Sequence, residues 1–422
     1  MSPKLFQAPR GTSDTLPDEQ RRWRFFEAKA GDIAGRFGYE RIDTPTFEDA
    51  SLFVRSVGEV TDIVEKETYT FEDRGGDLVS LRPEGTAPVC RAYLQHGMHN
   101  QPQPVRLYYL GDFFRYDRPQ AGRYRQFHQF GIEVIGEADA SVDSEVIELA
   151  SLLLESLGVS EVRLLVNSIG DSQCRRAYID RLQAYYRSHS DELVHDDCKR
   201  RLETNPLRLL DCKNGVCQPL IAAAPGSVDN LCDSCAHHWD ALLNDLGAQD
   251  RPYEIDKRLV RGLDYYSRTV FEIVPPGEGQ QSTLVAGGRY DGLIELLGGR
   301  PTPGIGFAMG IERVLAAIPE NETSITEEVR TKALVAQVGD QARSAGMLLA
   351  SELRRGGVAV VLAPAGRSLK SQLRYASSIR ATHAVIIGDQ ELEKGTVVLR
   401  DMSGSEQREV GRDELRSLLE GH

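Results

Sequence analysis

The sequence predicts an α/β chain of two or three domains, in which an α+β core is followed by a smaller α/β unit. Three observations carry this. At 422 residues the chain is longer than one typical domain. The stretches RLYYLGDFFRY and RQFHQFGIEVIG flank an arginine-rich loop, as two antiparallel strands with a long connection would. Beyond residue 330 the apolar runs ALVAQV, VAVVLA, AVIIG and TVVLR alternate with helical segments, the pattern of a partly parallel sheet.

Taken in order, DEQRRWRFFEAKAGDIAGRF (18–37) places apolar and aromatic residues at helical spacing and stops near Gly38. TYTFED and DLVSLRP read as short strands around the turn-forming RGG, and a helix is expected near 86–96. After the strand pair, SVDSEVIELASLLLESL (141–157) predicts a helix. Polarity and cysteine density rise between 170 and 248, so this segment reads as an insert within the first domain. LVRGLDYYSRTVFEIV then resembles a strand pair, and GIGFAMGIERVL a Gly-rich strand running into a helix. Past the loop NETSITEEV, the segments QARSAGMLLASELRR and SLKSQLRYASSIR are the expected helices of the last unit.

Apolar residues make up 41% and charged residues 27%, the proportions of an ordinary globular chain. No run approaches the length of a membrane span, and MSPKLFQAPRGTSD lacks the apolar stretch of a secretory signal, so a cytoplasmic protein is expected. The net charge of −13 argues against a chain uniformly coated by nucleic acid. It leaves local basic patches open.

The phosphate-binding motifs GxxxxGK[ST] and GxGxxG are absent, as are GxSxG and HExxH. Any nucleotide must therefore be held by side chains. Arginine suits that role because it stays charged and offers a planar fork of donors. Arg115 and Arg123 bracket the loop, Arg261 sits in LVRGLDYY and Arg313 in GIERV. Taken singly, each also fits an ordinary solvated position. Glu84 follows a proline in LRPEGT, and alternation puts Gln129, Gly131 and Glu133 on one face of a strand, opposite Phe130, Ile132 and Val134. That face is a pocket floor or simply the wet side of a sheet. Tyr265 and Tyr266 fit a core as well as a site.

The run GRSLKSQLRYASSIR contains Arg367, Lys370, Arg374 and Arg380 and no acid, so a helix there can gather charge for phosphates or merely face solvent. Five of the seven cysteines, from Cys198 to Cys235, crowd into the insert. Cys212 and Cys217 have C-x4-C spacing and Cys232 and Cys235 C-x2-C spacing. Together the four can build a tetrahedral zinc site, with Cys198 as a substitute ligand. His237 and His238 are expected only to cap or solvate a helix.

Six blocks now resemble one family in the same order. FGYERIDTPTFEDASLF, FFRYDRPQAGRYRQFHQFGIEVIG and GIGFAMGIERVL resemble the three class II motifs, while LRPEGTAPVCRAY, with LVRGLDYYSRTVFE and AGGRYDGL, resembles histidine-specific segments of the histidyl-tRNA synthetase family. The resemblance covers essentially the whole chain. It implies a class II antiparallel sheet flanked by helices (residues 1–169 and 249–325), an insert domain (170–248) and a C-terminal α/β anticodon-binding domain (330–422). The first motif implies a homodimer.

Residue by residue, the resemblance implies that Arg115 holds the α-phosphate of ATP and Arg313 clamps the nucleotide near the γ-phosphate. Arg123 adds a phosphate contact, Phe127 stacks on adenine, and Arg261 lies across the α-phosphate and the substrate carboxylate. These make Arg115, Arg261 and Arg313 the catalytic set. Glu84, Thr86 and Gln129 match positions that receive the α-ammonium of histidine. Glu133 and Tyr266 match those that read its imidazole, with Tyr265 and Tyr290 close by. Arg118 and Gln120 are placed to approach the acceptor end of tRNA(His), and Arg367, Lys370 and Arg374 its anticodon region. The implied reaction is attack of the histidine carboxylate on ATP, supplied with Mg²⁺, followed by transfer to the terminal adenosine of tRNA. A non-catalytic regulatory subunit of ATP phosphoribosyltransferase and an amide-forming ligase are the alternatives in the same superfamily.

Overall fold

In the computed structural model the chain divides into two compact units, Met1–Ser324 and Ile325–His422. The structure describes residues 5–420 except 58–65, 118–122, 205, 211, 213, 262, 264, 278–282, 320–331 and 405. Among the described residues no helix is long and apolar enough to cross a membrane.

The first unit is built on a sheet of eight strands among the described residues. Strands Val105–Phe114 and Gln126–Ile135 pair antiparallel along their whole length, from Val105 opposite Ile135 to Phe114 opposite Gln126. Gly304–Gly310, Val285–Arg289, Ser267–Val274 and Arg163–Ser168 continue the antiparallel order. Two-residue strands, Glu40–Arg41 and Glu254–Ile255, close the edges in parallel pairing.

One face of this sheet is covered by helices. Ala140–Ser156 starts at Asp139, whose carboxylate accepts from Ser141 N, and buries Val146, Ile147, Leu149, Ala150, Leu153 and Leu154. Gln20–Arg36 buries Phe25, Phe26, Ala30, Ile33 and Ala34, spaced for one helical face. The strand residues beneath alternate, so Phe130, Ile132 and Val134 go to this core while Gln129, Gly131 and Glu133 face the other way.

The segment expected as a strand pair from 259 begins its strand only at Ser267; among its described residues none of 259–266 is strand. The cause is local. Arg268 adopts φ 49°, and the register slips between Gly288 and Arg289, a bulge that releases the preceding residues from the ladder. Between the strands Arg163–Ser168 and Glu254–Ile255 the chain is helical, with Ser172–Ser188, Asp196–Thr204, Gln218–Ala222 and Asp233–Ala248 as α-helices. A separate small sheet joins Phe47–Asp49, Leu78–Leu81 and Thr70–Glu72.

The second unit holds a five-stranded sheet in the order Val360–Leu362, Ala333–Val338, His383–Gly388, Thr396–Asp401, Gln407–Gly411. The first three are parallel and the rest antiparallel. Ala333 and Val335 pack with Leu349 and Leu353 of helix Asp340–Arg355, while Leu334 and Ala336 pack with Ala376 of helix Leu369–Ser378. Both faces of strand Ala333–Val338 are thus buried, which accounts for its apolar run.

Candidate active site

The open face of the first sheet is floored by small residues. Gly131 lies opposite Ala308, Gly306 opposite both Glu133 and Gly288, and Ala286 opposite Ala308. The floor leaves no room for more. A Cβ at Gly306 would sit 2.1 Å from Glu133 Oε2, and one at Gly131 2.2 Å from the Tyr109 ring. Gly85 approaches the same ring from helix Thr86–Gln95, where a Cβ would lie 2.3 Å away.

Glu133 stands in this floor, wholly buried. Its carboxylate accepts from Tyr290 Oη at 2.6 Å and from Thr86 Oγ1 at 2.8 Å. Burial pushes its pKa up to about 8, and hydrogen bonds from Tyr290 and Thr86 oppose the rise. Glu84 accepts from Thr86 N at 2.7 Å and Ala87 N at 3.0 Å, so a buried carboxylate sits at the start of helix Thr86–Gln95. Burial raises its pKa also, against those backbone bonds. Tyr265 packs on Tyr266 at 4.8 Å and edge-on to Tyr290 at 6.1 Å, and its hydroxyl lies 3.4 Å from Glu84. Gln129 Oε1 is buried without a hydrogen-bond partner, and the Tyr109 hydroxyl lies beside Glu133 and Thr86. A ligand with polar hydrogens is the natural complement of such an unpartnered oxygen.

Arginines line the neighbouring part of the face. Arg115 donates to the Pro83 carbonyl at 2.9 Å and lies over the Phe127 ring, 5.4 Å from its centroid. Arg313 donates to the Thr283 carbonyl at 3.1 Å. Burial lowers its pKa, and nearby Arg123 and Arg115 lower it further. Three guanidinium groups close enough to disfavour one another form a cradle for a polyanion. Arg261 pairs with Glu272 at 2.5 Å and covers Tyr266. Arg123 pairs with Asp117 at 2.9 Å.

The fold therefore brings together Glu84, Thr86, Gln129, Glu133, Tyr265, Tyr266 and Tyr290 as one group, and Arg115, Arg123, Phe127 and Arg313 as another. Arg118 and Gln120 lie outside the described residues. Arg367, Lys370, Arg374 and Arg380 are exposed in the second unit, with Lys370 and Arg374 one turn apart on helix Leu369–Ser378.

Sequence reasoning missed two participants. Tyr109 is one; its signal is Gly131 directly across the strand pair, a vacancy into which the ring fits. The other is His128, held between Asp112 at 2.6 Å and Glu312 at 2.7 Å. Burial disfavours its charge, yet the two carboxylates raise its pKa. Its backbone N–H also donates to Glu312, the neighbour of Arg313. The triplet thereby ties the start of helix Ile311–Ala317 to the strand of Gln129.

The expected four-thiol zinc set is corrected. Cys212 and Cys217 converge with His195 and Cys198, whereas Cys232 and Cys235 converge with Asp171 and Cys174. Cys212 and Cys217 lie in loop and turn before helix Gln218–Ala222 and Cys232 and Cys235 at the start of helix Asp233–Ala248, so sequence proximity does not bring them to one point. His238 is corrected as well. It is buried and meets Asp143 Oδ2 at 2.8 Å, while His237 is exposed.

An antiparallel sheet with a small-residue floor, buried carboxylates and an arginine cradle defines a class II aminoacyl-tRNA synthetase core. A family model for histidyl-tRNA synthetase matches residues 11–314, and one for an anticodon binding domain matches 332–422. The chain belongs to the histidyl-tRNA synthetase family. It is 54% identical to a histidine–tRNA ligase of Dehalococcoides mccartyi, over 97% of this chain and 98% of that one. It is 47% identical to one of Geobacillus thermodenitrificans, over 98% of each. The apo histidyl-tRNA synthetase of S. aureus superposes with a TM-score of 0.81 at 36% identity, covering 98% of this chain and all of that one.

Proposed function

We infer that the chain activates L-histidine with ATP to histidyl-adenylate and transfers the histidyl group to the 3′-terminal adenosine of tRNA(His). The observation that carries this is Glu133, a buried carboxylate with oriented hydroxyl partners on the small-residue face of the sheet, beside an arginine cradle. Such a floor suits an imidazole, whose two nitrogens need distinct partners.

In this reading Glu84, Thr86 and Gln129 receive the α-ammonium group, and Glu133 and Tyr266 read the ring, with Tyr265 and Tyr290 enclosing it. ATP enters as its Mg²⁺ complex. Arg115 and Arg261 hold the α-phosphate, Arg123 and Arg313 the outer phosphates, and Phe127 stacks on adenine. The substrate carboxylate is already ionised, so its in-line attack on the α-phosphorus needs no protein base; the α–β phosphoanhydride bond breaks and pyrophosphate leaves. The arginines stabilise the charge that builds on the transferring phosphorus centre. The ribose hydroxyl of tRNA then attacks the adenylate carbonyl and AMP leaves.

Residues 1–169 and 249–325 form the catalytic core, 170–248 an insert domain and 330–422 the anticodon-binding domain. Arg118 and Gln120 approach the acceptor end, and Arg367, Lys370 and Arg374 meet backbone phosphates. The protein works in the cytoplasm as a homodimer. Support for the dimer comes from Phe47 and Phe71, exposed at 57% and 47% on one face of the small sheet.

The test is pyrophosphate exchange into ATP with each of the twenty amino acids offered alone and no tRNA. Exchange with histidine only is expected. No exchange with any of them, from folded protein supplied with Mg²⁺, rejects the synthetase reading in favour of the regulatory-subunit alternative.

A further inference from the structure

The helical segment between strands Arg163–Ser168 and Glu254–Ile255 contains two clusters of donor atoms. In the first, His195 Nδ1 lies 3.4 Å from Cys198 Sγ and 3.7 Å from Cys212 Sγ, and Cys198 Sγ lies 3.8 Å from Cys217 Sγ. The three cysteines are buried. In the second, Asp171 Oδ1 lies 3.4 Å from Cys174 Sγ and Oδ2 3.8 Å from Cys232 Sγ, with Cys235 completing the group. In each cluster one atom from each of the four residues lies within 4.8 Å of the others.

These separations have a specific meaning. Four ligands at zinc bond lengths, about 2.3 Å for sulfur and about 2.0–2.1 Å for nitrogen or oxygen, stand at the corners of a tetrahedron. Its edges are about 3.8 Å between sulfurs and about 3.5–3.6 Å between sulfur and nitrogen or oxygen. The His195–Cys198, His195–Cys212 and Cys198–Cys217 edges match, and the second cluster keeps one donor atom of each residue within 4.8 Å of the others. A disulfide requires sulfurs at about 2.05 Å, and the 3.8 Å pair is far beyond that. Thiols buried merely as small apolar groups have no reason to converge on a ring nitrogen or a carboxylate oxygen.

We propose that this segment holds two structural zinc ions, one on His195, Cys198, Cys212 and Cys217 and one on Asp171, Cys174, Cys232 and Cys235. The first pins the start of helix Asp196–Thr204 to the turns around Cys212 and Cys217, where regular structure is short. The second joins the starts of two helices, Ser172–Ser188, just after the chain leaves the sheet, and Asp233–Ala248. Asp171 there serves twice: it accepts from Gln173 N and Cys174 N as a helix cap, and it faces the thiols.

The test is elemental analysis of the full chain, purified under reducing conditions from zinc-supplemented cells and dialysed without chelator. The expected result is two zinc ions per chain, one lost in Cys212→Ser and the other in Cys235→Ser. X-ray absorption should show three sulfurs and one lighter donor per zinc. Because either variant can fail to fold, a mercurial titration of the wild-type chain supplies a second reading. It should release one zinc for every three thiols blocked, read with a chromogenic chelator. A wild-type chain that binds neither zinc nor cobalt overturns the proposal. A single ion, lost in one variant and kept in the other, overturns the site that the retained ion does not need.

Discussion

Arg289 Nη2 meets Asp143 Oδ1 at 2.7 Å, and neither side chain has any exposure to solvent. The guanidinium also donates to the carbonyls of Glu137 and Asp139 and reaches Asp291, while Asp143 holds His238. One buried cation thus joins the strand Val285–Arg289, the lead into helix Ala140–Ser156 and helix Asp233–Ala248.

Removing Arg289 leaves the buried Asp143 carboxylate with His238 as its remaining partner. Arg289→Met should lower the unfolding free energy by about 3–5 kcal/mol in denaturant titration, and pairing it with Asp143→Leu should recover part of the loss. Unchanged stability in Arg289→Met would contradict this account.

Glu133 gives a pH prediction. Its pKa in the folded chain, about 8, lies above the ordinary carboxyl value, so between roughly pH 4.5 and 8 the folded state binds a proton that the unfolded state has released. Its contribution to stability is therefore present at low pH and lost as pH rises through about 8. In the proposed reaction the ionised form accepts the ring N–H of histidine. Log kcat/KM for histidine should rise with pH toward an apparent pKa near 8, and Glu133→Gln should remove that limb. A profile identical in both proteins refutes the assignment.

Gly306→Ala places a methyl group 2.1 Å from Glu133 Oε2 and 2.2 Å from the Ile132 carbonyl. The backbone oxygen cannot swing aside, so the strand must shift. The expected loss is about 1–3 kcal/mol of stability with a raised KM for histidine, measured by thermal melting and exchange kinetics. The KM for ATP serves as the internal control and should change less.

Charge reversal on helix Leu369–Ser378 separates the two half-reactions. Lys370→Glu with Arg374→Glu should leave pyrophosphate exchange unchanged and weaken tRNA(His) binding several-fold, with a shallower dependence on salt. Equal loss in both half-reactions would mean that the helix serves stability instead.

Much of this was legible in sequence because it obeys short periods. The alternation through Gln129, Gly131 and Glu133 is a period of two and put those residues on one face. Helix Ala140–Ser156 and the parallel strands of the second unit follow from equally local patterns. Long-range partners were not legible. The Arg289–Asp143 pair and the seat of Tyr109 over Gly131 depend on which strands become neighbours. The cysteines show the failure most plainly: spacing favoured joining Cys212 and Cys217 with Cys232 and Cys235, whereas the fold recruits His195, Cys198, Asp171 and Cys174. A bulge at Arg268, not a run of residues, decides where the strand after Tyr266 begins.

The parallel pairing of Leu165 with Glu254 and Val166 with Ile255 has a consequence for how this architecture can vary. The chain departs and returns along neighbouring strands at the sheet margin, yet helix Asp233–Ala248 near the end of that excursion is itself locked to the core, His238 against Asp143. Freedom to change length or composition is therefore confined to stretches that touch neither attachment, while the Gly131–Gly306 floor keeps its register. Growth or loss there remodels the outskirts of the molecule without renegotiating the chemistry beside the floor.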